Sequence, residues 1–164
     1  MNDAVDYLRV TFMCLTYLPA AIREAVHFAS CSHVAAVLLR ALLAAPKLNA
    51  YSLHRRRLDV ACLEEFADGC GVADLRLTFA ELAALLEALV GAPDALDALP
   101  DAAERARRFP HLDVAKVITV LGRCHDVPML ARVKGAGGGA AHELPKFDRK
   151  HVDRVLRQLR AEQS

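Results

Sequence analysis

Three groups of residues in this chain have types and spacings that could support chemistry: His27, Cys31 and His33 inside one apolar run, paired acids, and a glycine cluster. A zinc site needs three or four ligands converging on one point. His27 and Cys31 are four residues apart and can share a helix face, but at about 100° per residue His33 lies roughly 160° round the helix from Cys31. Cys124 and His125 diverge by about 100° on a helix, and no C-x-x-C or H-x-x-x-H spacing occurs elsewhere. The spacing therefore predicts no metal site and no cofactor, with Cys31 a buried thiol and His27 a histidine at the edge of the surface.

Gly135 to Ala140 formally reads G-x-G-x-x-A, yet a dinucleotide site needs a strand before that turn and a helix directly after it. Neither pattern flanks it, so the glycines read as a flexible linker. No P-loop, G-x-S-x-G elbow or H-E-x-x-H is present. Glu64-Glu65 and the series Asp94, Asp97, Asp101 offer carboxylates, but adjacent acids point apart on a helix and no apolar cleft is marked out to raise a pKa. The sequence predicts no enzyme. Basic residues concentrate at Arg55-Arg56-Arg57, at Arg105, Arg107 and Arg108, and along the last helix. Such runs serve as solvated faces or as docking surfaces for an acidic partner or anionic lipid.

The elements that would position these residues are all helical. Ala20 to Ala45 is the longest apolar segment, with Phe28, Cys31, Ala35, Leu38, Leu39 and Leu42 on one arc and Arg23, His27, Ser30, His33 and Arg40 on another. A membrane span needs roughly 20 consecutive predominantly apolar residues. Here Arg23, Glu24 and Arg40 leave Ala25 to Leu39, which carries two His and two Ser, so the segment reads as the spine of a helical bundle. A first helix is expected over Asp3 to Leu18, with Pro19 opening the spine. Asn49 should cap a short helix through Arg57, and Asp59 a further one to Asp68. Leu75 to Val90 forms a second core helix, the segment to Phe109 holds only short helices, and Asp113 caps a helix through Cys124. After a linker near 133–145, the last helix runs from Asp148 to Ala161.

With 164 residues the chain is expected to form a single all-α domain, a bundle of about six to eight helices without a sheet. Hydrophobic residues make up 54% and aromatics 5%, and β-branched residues never alternate with polar ones over a strand-length run. Lys and Arg number 21 against 20 acids, so the net charge of +1 gives no whole-protein field to attract nucleic acid. Five scattered cysteines suit reduced, buried thiols of a cytosolic protein, and the acidic start Met1-Asn2-Asp3 lacks the basic region of a signal peptide.

As an ordered string the chain resembles the C-terminal domain of the exocyst subunit Sec-fifteen, as a truncated or divergent member. The resemblance is carried by His33-Val34-Ala35-Ala36-Val37-Leu38-Leu39, Arg57-Leu58-Asp59-Val60, Cys62-Leu63-Glu64-Glu65-Phe66-Ala67, Phe79-Ala80-Glu81-Leu82 within Leu75 to Leu89, Phe109 to Cys124, and Asp153 to Arg160. Where the family has a Trp- and Tyr-bearing segment, this chain has Gly91 to Arg108, so a packing layer should differ. The resemblance implies a non-enzymatic helical domain of a vesicle-tethering complex that binds a GTP-loaded Rab-family small GTPase in exocytosis. Its partners would be that Rab and other exocyst subunits. It would act in the cytoplasm, at secretory vesicles and plasma-membrane sites of exocytosis, reaching membranes only through partners. The alternative is a purely structural module that assembles with other exocyst subunits. Because interfaces favour Arg anchors beside apolar groups, Arg55, Arg56, Arg57 and Leu58 are the expected partner-binding residues.

Overall fold

The computed structural model describes residues 2–92, 94–125 and 147–163. The expected linker near 133–145 lies outside the described residues. Among these residues the chain forms seven α-helices and no strand: α1 (Asn2–Cys14), α2 (Ala20–Ala44), α3 (Ala50–Gly69), α4 (Ala80–Val90), α5 (Ala102–Arg108), α6 (Val114–Leu121) and α7 (Arg149–Glu162). Two 3-10 turns, Leu75–Phe79 and Leu96–Ala98, stand before α4 and α5. The all-helical expectation holds.

The core gathers around α3, which packs against α1, α4 and the Leu75–Phe79 turn, while that turn also packs against α2. Leu53, Leu63, Leu75, Phe79, Leu85 and Leu89 are fully or almost fully buried within this group. A second contact set joins α6 to α2, α4 and α7. The joint between the two sets is tied by backbone: Leu48 donates to the Arg123 carbonyl at 2.9 Å, and His125 donates to the Leu48 carbonyl at 2.9 Å, an isolated parallel bridge.

Several boundaries differ from the sequence expectation, each for a local reason; the helix capped by Asp113 ends at Leu121 rather than Cys124, where i to i+3 bonds from Arg123 to Val120 and from Cys124 to Leu121 tighten the chain. The first helix ends at Cys14, not Leu18, because i to i+3 bonds from Leu15 to Phe12 and from Leu18 to Leu15 tighten the chain ahead of Pro19. Pro19 is the N-cap of α2 rather than its first residue, with ψ 142°. The break expected between Arg57 and Asp59 is absent. Asn49 caps α3 with a full capping box, its side chain accepting from the Ser52 amide at 2.8 Å and Ser52 Oγ accepting from the Asn49 amide at 3.1 Å. From there the helix continues for 20 residues. Asp59 can cap, but nothing between Arg57 and Asp59 stops a helix, and Leu53, Val60, Leu63 and Phe66 keep one buried face through the junction. The second core helix begins five residues late. Gly71 and Asp74 take left-handed conformations, φ 67° and 61°, so Leu75–Phe79 enters as a 3-10 turn with Thr78 Oγ1 donating to the Leu75 carbonyl.

The segment from 94 to 108, which lacks aromatics, fills its layer with Ala95, Leu96, Ala98 and Leu99, all buried. Asp101 caps α5 by accepting from the amides of Ala103 and Glu104. Arg105 reaches both the Leu99 carbonyl and Glu162, at 2.9 Å from the latter, and Arg154 and His151 approach Asp97, so this layer is fastened to α7.

The spine places its residues differently from the pattern. Its buried residues are His27, Cys31, Ala35 and Leu42, while Phe28 is 36% exposed. His27 is therefore no surface-edge histidine. At 5% exposure its ring stacks on Phe12 with centroids 3.9 Å apart and planes at 19°, and Phe12 in turn meets Phe66 at 5.5 Å. Both ring nitrogens lack a hydrogen-bond partner among the described residues. By length and mean hydropathy α2 is apolar enough to cross a bilayer, yet here it is a bundle helix with a narrow buried stripe and Ala-rich outer faces.

Two measurements test these local accounts. Asn49→Ala removes the cap of α3 and should lower unfolding stability by about 1 kcal/mol in urea titrations. Burial, then the nearby Arg23, lower the His27 pKa from 6.5, against a smaller opposing effect of Glu24. The native state thus holds the ring neutral while the unfolded chain takes up a proton below that value. The contribution is complete above the unfolded pKa and is lost as pH falls from there toward the depressed folded value. His27→Leu should therefore flatten the decline in stability between about pH 7 and pH 5; an unchanged decline would place the responsible proton elsewhere.

Candidate partner-binding surface

Arg55, Arg56, Arg57 and Leu58 lie in the middle of α3, not at a helix start, so their backbone amides are occupied by the helix and only side chains are on offer. Their helical phase divides them. Arg57 turns toward α4, where its Nε donates to Glu87 Oε2 at 2.5 Å and fastens the two helices. Leu58 is exposed. Arg55 and Arg56 line a groove of about 390 Å³ whose other walls are Leu38, Leu42, Tyr51, Ser52, Asp59, Val60, Leu82 and Leu86.

That groove sits between three elements. Leu38 and Leu42 come from the second half of α2, Val60 from α3, and Leu82 and Leu86 from α4, giving an apolar floor. Tyr51, Ser52, Arg55 and Asp59 belong to successive turns of one side of α3 and form the polar edge. Sequence reasoning found the arginines but missed this floor, because its leucines come from helices distant in the chain.

Most other arginines are already committed. Arg76 pairs with Glu64 at 3.2 Å and Asp68 at 3.3 Å, Arg107 with Glu104 at 2.6 Å, and Arg108 with Asp94 at 3.0 Å. The Arg108 hydrogen bond holds the Asp94 carboxyl below its usual range, and Arg107 does the same to Glu104. The run Arg105, Arg107, Arg108 is thus a set of ion pairs. Lys116 pairs with Glu81 and, at 3.5 Å, with Asp113. Arg55 and Arg56 have no such partner among the described residues.

The acids and thiols singled out for chemistry have structural surroundings. Glu64 and Asp68 hold Arg76, Asp97 faces α7, and Asp101 is a helix cap. Cys31 is fully buried, and burial, with a smaller effect of Cys70, pushes its thiol up to about 11. Burial pushes Cys124 up to about 12. Thiols so protonated are poor nucleophiles at neutral pH. The expectation of buried thiols fails at Cys14 and Cys62, which are exposed on the outer sides of α1 and α3. Among the described residues no three His, Cys, Asp or Glu side chains are grouped closely enough to hold a metal ion.

Comparison with known proteins gives one positive result. A family model described as "Exocyst complex subunit Sec15 C-terminal" matches residues 1–123, which takes in α1 to α6 and the whole groove and leaves α7 outside. No curated protein and no solved structure gave a match. With three quarters of the sequence matched, from the first helix to the bridge that joins the two contact sets, the chain belongs to the Sec15 C-terminal family of exocyst subunits, components of a vesicle-tethering complex.

Proposed function

We propose that the domain binds a GTP-loaded Rab-family GTPase and thereby couples secretory vesicles to the rest of the exocyst at sites of exocytosis on the plasma membrane. The observation that carries the site is the pair Arg55 and Arg56, two unpaired guanidinium groups beside an apolar groove in a protein that otherwise pairs most of its arginines. Arg side chains next to desolvated apolar pockets are the usual anchors of protein interfaces. Leu58, exposed on the same helix, extends the contact, while Arg57 acts by keeping α3 and α4 together through Glu87. Such a domain works in the cytoplasm as a binding module, without catalysis, and meets membranes through its partners.

A second reading, assembly with other exocyst subunits, is favoured by a different surface. Tyr7, Val10, Met13, Tyr17 and Ile22 are exposed along α1, the turn after it and the start of α2, with Tyr17 at 95%. Apolar patches of this sort are rare on monomers unless something covers them. The two readings use separate faces and are compatible.

Capture assays distinguish GTP-locked from GDP-bound Rab proteins. The GTP form should be retained preferentially, and Arg55→Glu combined with Arg56→Glu should cut retention by about tenfold or more, a change of about 1.4 kcal/mol, with the melting temperature unaltered. Equal capture of both nucleotide states, or none for any exocytic Rab, would end the Rab assignment. Arg57→Gln should instead lower stability by no more than about 1 kcal/mol, since its pair with Glu87 is partly exposed.

A further inference from the structure

The groove edged by Arg55 and Arg56 has a composition that specifies its occupant more closely than charge alone, and this inference rests on reading that face as partner-binding. Its floor of Leu38, Leu42, Val60, Leu82 and Leu86 comes from three helices and offers no charged group. Its volume of about 390 Å³ exceeds the roughly 150 Å³ that suffices for benzene in an apolar cavity. The polar groups all stand on one side, from α3: Tyr51, Ser52, Arg55, Arg56 and Asp59. Ser52 is already used in the capping box, its hydroxyl donating to the Asn49 carbonyl at 2.9 Å. Asp59 offsets one of the two guanidinium charges, leaving a net positive edge. No ion pair joins Asp59 to either arginine among the described residues.

We infer that the groove docks a partner protein segment that inserts an apolar side chain, aromatic or large aliphatic, directly beside a carboxylate. The apolar side chain occupies the leucine floor, and the carboxylate takes the Arg55 and Arg56 guanidinium groups, which present planar, bidentate donors suited to it. A basic segment is excluded by the same edge. A purely apolar one would leave both arginines partly desolvated without a partner, which costs free energy. An acidic segment without an apolar anchor would gain only exposed ion pairs, worth little.

The test is a methyl-resolved NMR titration of the full chain with three capped tripeptides: Glu-Phe-Glu, Gln-Phe-Gln and Lys-Phe-Lys. The proposal expects saturable shifts at the Leu38, Leu42, Val60, Leu82 and Leu86 methyl groups. Glu-Phe-Glu should bind tightest, Gln-Phe-Gln several-fold weaker and Lys-Phe-Lys weakest. In the double variant Arg55→Glu, Arg56→Glu the order should reverse while the remaining methyl spectrum is unchanged. Equal binding of the three peptides, a preference for Lys-Phe-Lys, or shifts confined to residues outside the groove would overturn it. So would co-sedimentation with phosphatidylcholine vesicles containing phosphatidylserine that depends on Arg55 and Arg56, because the groove would then be serving an anionic lipid. The Rab reading fails separately: peptide selectivity with no GTP-dependent Rab capture keeps the groove and removes the Rab. Rab capture that survives the double variant, with no peptide selectivity, removes the groove and keeps the Rab.

Discussion

The continuity of α3 is the constraint on which the rest of this domain depends. Its buried residues Leu53, Val60, Leu63, Phe66 and Ala67 face α1, α4 and the Leu75–Phe79 turn, so a break anywhere along the helix would unseat three neighbours at once. The capping box at Asn49 fixes where the helix begins, and the buried stripe fixes the phase in which it presents every other residue. That phase sends Arg57 to Glu87 and leaves Arg55 and Arg56 over the groove. The candidate surface follows from which face of α3 the core takes up.

Charge is distributed by the same geometry. The chain carries nearly equal numbers of acids and bases, and the structure uses them mainly as short-range fasteners between neighbouring elements: Arg76 across α3 and the following turn, Lys116 across α4 and α6, Arg105 across α5 and α7. The Arg76 and Lys116 pairs are partly exposed and contribute little to stability by themselves, while the Arg105 side chain is largely buried. Their effect is rather to choose which helix faces which. Arg55 and Arg56, without such a pair among the described residues, lie side by side at an apolar groove, which is what gives that location weight beyond composition.

Much of this was legible from residue order, and the failures have a common cause. The helices, the caps at Asn49 and Asp113, and the short helix between 94 and 108 all follow from patterns confined to a few neighbouring residues, whereas Asp148, expected as the first residue of the last helix, turns out to be its cap. What local pattern could not supply was tertiary choice. Asp59 reads as a cap because its type permits it, but the buried stripe running past it overrides that option. The left-handed Asp74 shortens α4 because the chain must turn there to bring Leu75 and Phe79, both fully buried, under α2 and α3. The groove joins Leu38 and Leu42 to Leu82 and Leu86, from helices far apart in the sequence, and no periodicity announces it.

His27 carries the same lesson into energetics. An amphipathic reading puts Phe28 inside and His27 outside, and the reverse occurs because α1 delivers Phe12 to the N-terminal half of α2, where a flat imidazole stacks at 3.9 Å. The ring contributes area and shape while forgoing hydrogen bonds at both nitrogens, a cost that stays tolerable only while it is neutral. Further along, Cys31 and Ala35 are the buried positions, and both are small, so the 3-10 turn with Phe79 can lie close against the spine. The remaining faces of α2 mix alanines with Ile22, Phe28 and Val37, which are exposed, and with Val34, Leu38, Leu39 and Leu43, which pack partly against the core, so the helix is apolar enough to pass for a bilayer helix by length and hydropathy alone. The same helix changes character along its length: small buried residues at Cys31 and Ala35 stand in its middle, while Leu38 and Leu42 in its second half supply part of the groove floor, so the spine that anchors the core also builds the candidate surface.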